Sequence, residues 1–81
     1  MTEDDFEALH LELADRLEDI QLLVMAGSIS EVRRQLHSLK GLAKAFGFAE
    51  LAAAVHDAEE CPEAGVLQPK IDRMFTMLDA A

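Results

Sequence analysis

Apolar residues recur every three or four positions along nearly the whole chain, and that period leaves one economical way to bury them. On a helix of 3.6 residues per turn, such spacing gathers the apolar side chains on one face. Phe6, Leu9, Leu13, Leu17, Ile20 and Val24 form one stripe, which predicts a first helix from about Asp4 to Met25. Ile29, Val32, Leu36, Leu39, Ala43 and Phe46 predict a second, from about Ile29 to Phe46. Leu51, Val55 and Ala58 face inward on a third, about Ala49 to Glu60, and Ile71, Met74, Phe75 and Leu78 on a fourth, about Gln68 to Asp79. No segment alternates as a strand would. Four amphipathic helices with short links predict an all-α fold, an antiparallel up-down four-helix bundle, as a single domain over residues 1–81.

The punctuation agrees with this reading. Asp4, Asp5 and Glu7 lie in the first turn of helix one, where the helix dipole favours acids. Gly27 and Gly47 are placed to stop the first two helices. Ser28 and Glu31 fit a capping box for helix two, with Ser30 as a competing cap. Cys61-Pro62 should end helix three, residues Pro62 to Val66 should form a loop, and Pro69 suits the first turn of helix four.

Charge narrows the function. The chain holds 16 acidic and 7 basic side chains, a net charge of −9. That balance argues against nucleic acid as partner, because phosphate backbones need a basic surface, and against adsorption to an anionic membrane. No apolar run approaches the length of a membrane span. A single cysteine, Cys61, precludes an intrachain disulfide, and the start of the chain lacks the basic and apolar stretches of a secretory signal. The expectation is a cytoplasmic protein.

The few basic residues are not scattered. Helix two carries Arg33, Arg34, Lys40 and Lys44 against one acid, Glu31. The same helix carries His37. Positions i, i+3, i+4 and i+7 share a helical face, so Lys40, Gly41 and Lys44 lie with His37, and Arg33 precedes it by one turn. The apolar stripe runs beside His37, which puts the ring at the edge of the core or outside it. A nearby ammonium disfavours the imidazolium and keeps the ring neutral. Gly41 costs roughly 1 kcal/mol relative to Ala in mid-helix. It serves either close packing against another helix or clearance for a partner above the ring. His10 reads as a surface residue.

The run His37-Ser38-Leu39-Lys40-Gly41-Leu42-Ala43-Lys44-Ala45-Phe46-Gly47 closely resembles the signature of histidine-containing phosphotransfer (HPt) domains. The pattern is a His, an apolar residue two on, Lys-Gly, a small residue, and a Gly ten places after the His. The Phe46-Gly47-Phe48 turn is further similar to the phosphotransfer domain of chemotaxis histidine kinases, and His56 and Glu59 stand at the places of that domain's supporting residues. The resemblance implies that His37 accepts a phosphoryl group from a histidine kinase or a receiver domain and passes it to a receiver aspartate. It implies that Lys40 stabilises the attached group. It implies that Glu59 accepts a hydrogen bond from His37, supported by His56, while Arg33, Arg34, Gly41 and Lys44 meet the partner. No cofactor is expected in the chain itself; the receiver would supply a divalent metal. Nothing resembles an ATP-binding kinase domain, so the chain reads as a carrier rather than an enzyme, either free-standing or part of a longer protein. Two rivals stand beside this: a helical module that binds receivers or kinases without being phosphorylated, and a metal-binding bundle using His37, His56 and Glu59, which Lys40 would oppose by repulsion.

Overall fold

A computed structural model describes residues 3–60 and 64–80. Four helices follow one another: α1 (Glu3–Met25), α2 (Ile29–Ala45), α3 (Ala49–Glu59) and α4 (Ala64–Ala80). Each of α1 and α3 packs on both α2 and α4, so the helices close a ring in chain order, the up-down bundle that the periodicity predicts. A helix of 23 residues spans about 34 Å, which accounts for most of the 38 Å long axis of the molecule.

Every helix contributes four buried residues. Leu9, Leu13, Leu17 and Ile20 of α1 meet Val32, Leu36, Leu39 and Ala43 of α2. Leu51, Ala52, Val55 and Ala58 of α3 and Leu67, Ile71, Met74 and Leu78 of α4 complete the core. No polar side chain is buried among the described residues.

Two glycines set the turns. Gly27 has φ +76° and Gly47 φ +81°, a left-handed conformation that only glycine adopts without strain. Each closes the preceding helix with the same pair of bonds. Ser28 N–H donates to Leu23 O and Gly27 N–H to Val24 O; Phe48 N–H donates to Ala43 O and Gly47 N–H to Lys44 O. These are Schellman closures, and they satisfy carbonyls that the helix ends leave open.

The structure corrects several local expectations. The capping box at Ser28 does not form, and its side chain makes no cap hydrogen bond. The Ser28 N–H that Glu31 would have to accept is already given to Leu23 O in closing α1. Glu31 instead accepts from Gln35 Nε2 at 3.2 Å and pairs with Arg34 at 3.5 Å. Helix α4 starts at Ala64 rather than near Gln68, so residues 64–66 are helical and not loop, and Pro69 lies inside the helix. Leu67 explains the extension. It continues the Ile71–Met74–Leu78 stripe back by four residues and is 1% exposed. Burying a leucine contributes about 1.5–3 kcal/mol, enough to offset much of the proline's cost. Cys61 and Pro62, expected to end the third helix, lie outside the described residues. Phe6 and Phe46 sit at the bundle's edge, not in its core, at 37% and 44% exposure. Phe6 stacks obliquely on Phe48 with ring centroids 6.0 Å apart. His10 is not simply a surface residue. Its Nε2 lies 2.7 Å from Leu78 O, so the ring N–H donates to a carbonyl in the last turn of α4 and ties that end to α1. Among the described residues no helix is long and apolar enough to cross a membrane.

Candidate functional site

His37 lies at the middle of α2, and α3 returns antiparallel beside it after the Gly47 turn. Because α3 is only 11 residues long, its last turn stops alongside the middle of α2. Two side-chain pairs share one register across this hairpin, 37 with 59 and 40 with 56. The local period of α2 sets which face His37 and Lys40 share. The Gly47 turn sets which residues of α3 they meet.

The His37 side chain is 71% exposed, and its Nδ1 lies 2.8 Å from Glu59 Oε1. Glu59 is 21% exposed and Lys40 15%, and Lys40 Nζ donates to Glu59 Oε2 at 2.6 Å. The carboxylate therefore bridges an imidazole and an ammonium, one oxygen to each. The Lys40 hydrogen bond is the main reason that the Glu59 carboxyl is held below the ordinary glutamate range. Partial burial opposes that shift, and the His37 bond adds to it.

Ionised Glu59 can only accept. The proton between it and His37 therefore sits on Nδ1, and in the neutral ring it is Nε2, in an exposed side chain, that holds the lone pair. The same logic fixes His56. Lys40 Nζ also lies 3.3 Å from His56 Nδ1, and an ammonium has only protons to offer, so Nδ1 accepts. His56 Nε2 lies 3.3 Å from Glu60 Oε1, within ion-pair reach. A continuous chain of contacts runs from Glu60 through His56, Lys40 and Glu59 to His37.

The sequence placed Lys40 beside the His37 ring. In the structure its ammonium hydrogen-bonds Glu59 and His56, and it acts on His37 through the shared carboxylate. Arg33, Arg34 and Lys44 are exposed on α2 and outside this chain. Arg34 pairs with Glu31, while Arg33 and Lys44 have no ion-pair partner among the described residues. Lys44 lines a shallow groove with Lys40 and His56, floored by Ala49, Ala52 and Ala53. Gly41 is exposed, and a Cβ built on it would meet nothing within 4 Å. Close packing inside this bundle is thus not what Gly41 serves. Among the described residues no three His, Cys, Asp or Glu side chains group as ligands for one ion.

Two contacts have no counterpart in the sequence reading. Arg16 of α1 donates through Nη1 to Ser38 Oγ at 3.4 Å, and through Nε to Glu12 at 3.1 Å. Lys70 of α4 pairs with Asp57, which holds that carboxyl below its usual range. The first involves the residue after His37 and was invisible because i, i+4 patterns report only on one helix.

The arrangement presents an exposed histidine whose Nδ1 is held by a carboxylate and whose other ring nitrogen makes no such bond among the described residues. Against known families, the Hpt domain model matches residues 6–81. No match was found among curated proteins or among solved structures.

Proposed function

The chain belongs to the Hpt domain family, and from that premise we propose that it carries a phosphoryl group on Nε2 of His37 within a two-component phosphorelay. Hpt domains are phosphotransfer carriers of two-component signalling and do not themselves bind ATP. The observation that supports the finer assignment is the bond from His37 Nδ1–H to Glu59, which leaves Nε2 as the exposed nucleophile.

The chemistry follows from the two ring nitrogens. The Nε2 lone pair forms a bond to phosphorus as the bond from phosphorus to the donor oxygen breaks, and that electron pair leaves with the donor. The Nδ1 proton stays on the ring, so the phosphorylated ring is an imidazolium whose charge the Glu59 carboxylate balances. In the onward step an aspartate oxygen of a receiver attacks phosphorus. The P–Nε2 bond breaks, its electrons return to Nε2, and the ring is neutral again. Phosphoryl transfer asks mainly for positioning and charge stabilisation, so this chain can act with side chains alone. The receiver would bring the divalent metal. Glu59 is a positioning residue here, Lys40 holds Glu59, and His56 holds Lys40. Arg33, Arg34 and Lys44 offer positive charge to an acidic partner surface, and Gly41 leaves clearance over the ring. The likeness of the Phe46-Gly47-Phe48 turn and of His56 and Glu59 to the chemotaxis kinases supports these roles, and cytoplasmic work follows from a phosphoryl group that originates in ATP.

Incubation with histidine kinases and ATP, then with receivers, tests the reading when the labelled residue is mapped. Label on His37 that moves to a receiver supports it. Label that survives in His37→Gln refutes the assignment, and receiver binding with no labelling of the wild type favours the unphosphorylated interaction module.

A further inference from the structure

Helix α1 is strongly acidic and holds one arginine or lysine, Arg16. That cation is spent neither in the core nor at a helix end. Its Nε donates to Glu12 one turn earlier, and its Nη1 reaches across to Ser38, the residue after His37. On the side of α2 toward α3, Glu59 occupies His37 Nδ1 and is itself held by Lys40. On the side toward α1, Arg16 meets Ser38, the next residue along.

The Arg16–Ser38 contact is long at 3.4 Å, and the arginine side chain is 37% exposed. A neutral hydroxyl at that distance is a weak partner for a guanidinium, which has five donors and here commits two. Lys40, in contrast, already spends two of its three donors on Glu59 and His56. Arg33, one turn before His37, has no ion-pair partner among the described residues to hold it in place. Arg16 is thus a cation held at the residue next to His37 and able to exchange its weaker partner. A phosphoryl group on His37 would carry about −1.5 to −2 charge and three acceptor oxygens, which suit the planar guanidinium fork far better than a serine hydroxyl does.

Resting on the reading of His37 as the carrier, we propose that Arg16 is a phosphoryl-binding residue: on phosphorylation its Nη groups leave Ser38 for the phosphoryl oxygens, while Glu12 keeps Nε. The unphosphorylated bundle holds this arginine in waiting, and its first helix takes part in retaining the phosphoryl group.

The test needs no partner protein. Phosphoramidate passes its phosphoryl group from the amine nitrogen to Nε2 and releases ammonia. Phosphorus NMR then follows the second ionisation of the attached group as pH is varied above the range in which the P–N bond hydrolyses. In Arg16→Gln the midpoint should rise, the acidity constant falling about two- to fivefold, the scale of a partly exposed ion pair. Arg16→Lys should recover part of the change, and Arg33→Gln should raise the midpoint by less than Arg16→Gln does. In the wild type, the Arg16 side-chain N–H resonances should shift on phosphorylation, a measurement independent of how well any variant folds. An Arg16→Gln protein that titrates like wild type, or a wild type whose Arg16 resonances stay in place, overturns the proposal and leaves Arg16 as a tie between α1 and α2. A larger effect from Arg33→Gln overturns it in favour of that residue. If the phosphorus signal persists in His37→Gln, the carrier assignment itself has failed, which is a different result.

Discussion

His37 Nδ1 and Glu59 Oε1 stand 2.8 Å apart although 22 residues separate them in the chain. The pair crosses from α2 to α3, and Lys40 holds the other carboxylate oxygen at 2.6 Å. The bond decides which ring nitrogen carries the proton in the neutral ring, and therefore which one holds the lone pair. A chemical property of α2 is thus set by a residue of α3.

Replacement of Glu59 by Ala removes that control. Phosphorylation of His37 should slow by roughly ten- to a thousandfold, the range for an orienting and proton-holding group, while receiver binding persists. Single-turnover labelling with a cognate kinase checks the rate, and titration with a receiver checks binding. Wild-type rates in Glu59→Ala would make Glu59 a bystander.

Acid should weaken the fold through the same carboxylate. The folded-state pKa of Glu59 lies below its ordinary value of 4.5, mainly because of the Lys40 bond. A depressed acid contributes stability that is complete above the unfolded value and lost as pH falls through the folded one. The difference in melting temperature between wild type and Glu59→Gln should therefore be present at neutral pH and shrink once pH drops below 4.5. Thermal melts of both proteins across that range give the answer, and a gap that widens in acid would contradict the assignment.

Gly41 offers a contrast between fold and function. Since a Cβ there meets open space, Gly41→Ala should stabilise the isolated bundle by about 0.5–1 kcal/mol, the helix-propensity difference. Gly41→Leu should also fold, but should impair docking of a receiver over His37. Denaturant melts and receiver titrations of the two variants separate these effects. Unchanged receiver affinity in the Leu variant would remove clearance as the explanation.

Gly47 should behave in the opposite way. With φ at +81°, Gly47→Ala should cost about 1–2 kcal/mol from the left-handed backbone alone. Because the turn sets the register of α3 on α2, the His37–Glu59 bond should loosen with it. A falling melting temperature together with a changed His37 ring-nitrogen signal in nitrogen NMR is the expected pair of results.

Much of this was legible in the chain because it is local. Helical period is a property of the backbone, so the stripes Leu9–Leu13–Leu17 and Val32–Leu36–Leu39 announced their helices, and Gly27 and Gly47 announced the turns. The placing of His37, Lys40 and Gly41 on one face of α2 followed from spacing alone. The choice of partners did not. Asp57 and Glu59 of α3 and Glu60 just after it lie within one turn's length, yet they meet Lys70, His37 with Lys40, and His56 respectively. Nothing in their spacing ranks one above another for His37, and Glu59 entered only through the resemblance to a known family. Which acid faces α2 depends on how α3 is rotated and offset after the turn, and that is settled by burying Leu51, Val55 and Ala58 together. Burial of Leu67 likewise extended α4 back to Ala64, the closure of α1 denied Ser28 its cap, and the packing of α1 on α2 brought Arg16 to Ser38. The sequence by itself determined the helices and the face that presents His37. Only the tertiary structure decided what stands around that ring, because contacts between helices depend on rotations and offsets that no single helix encodes.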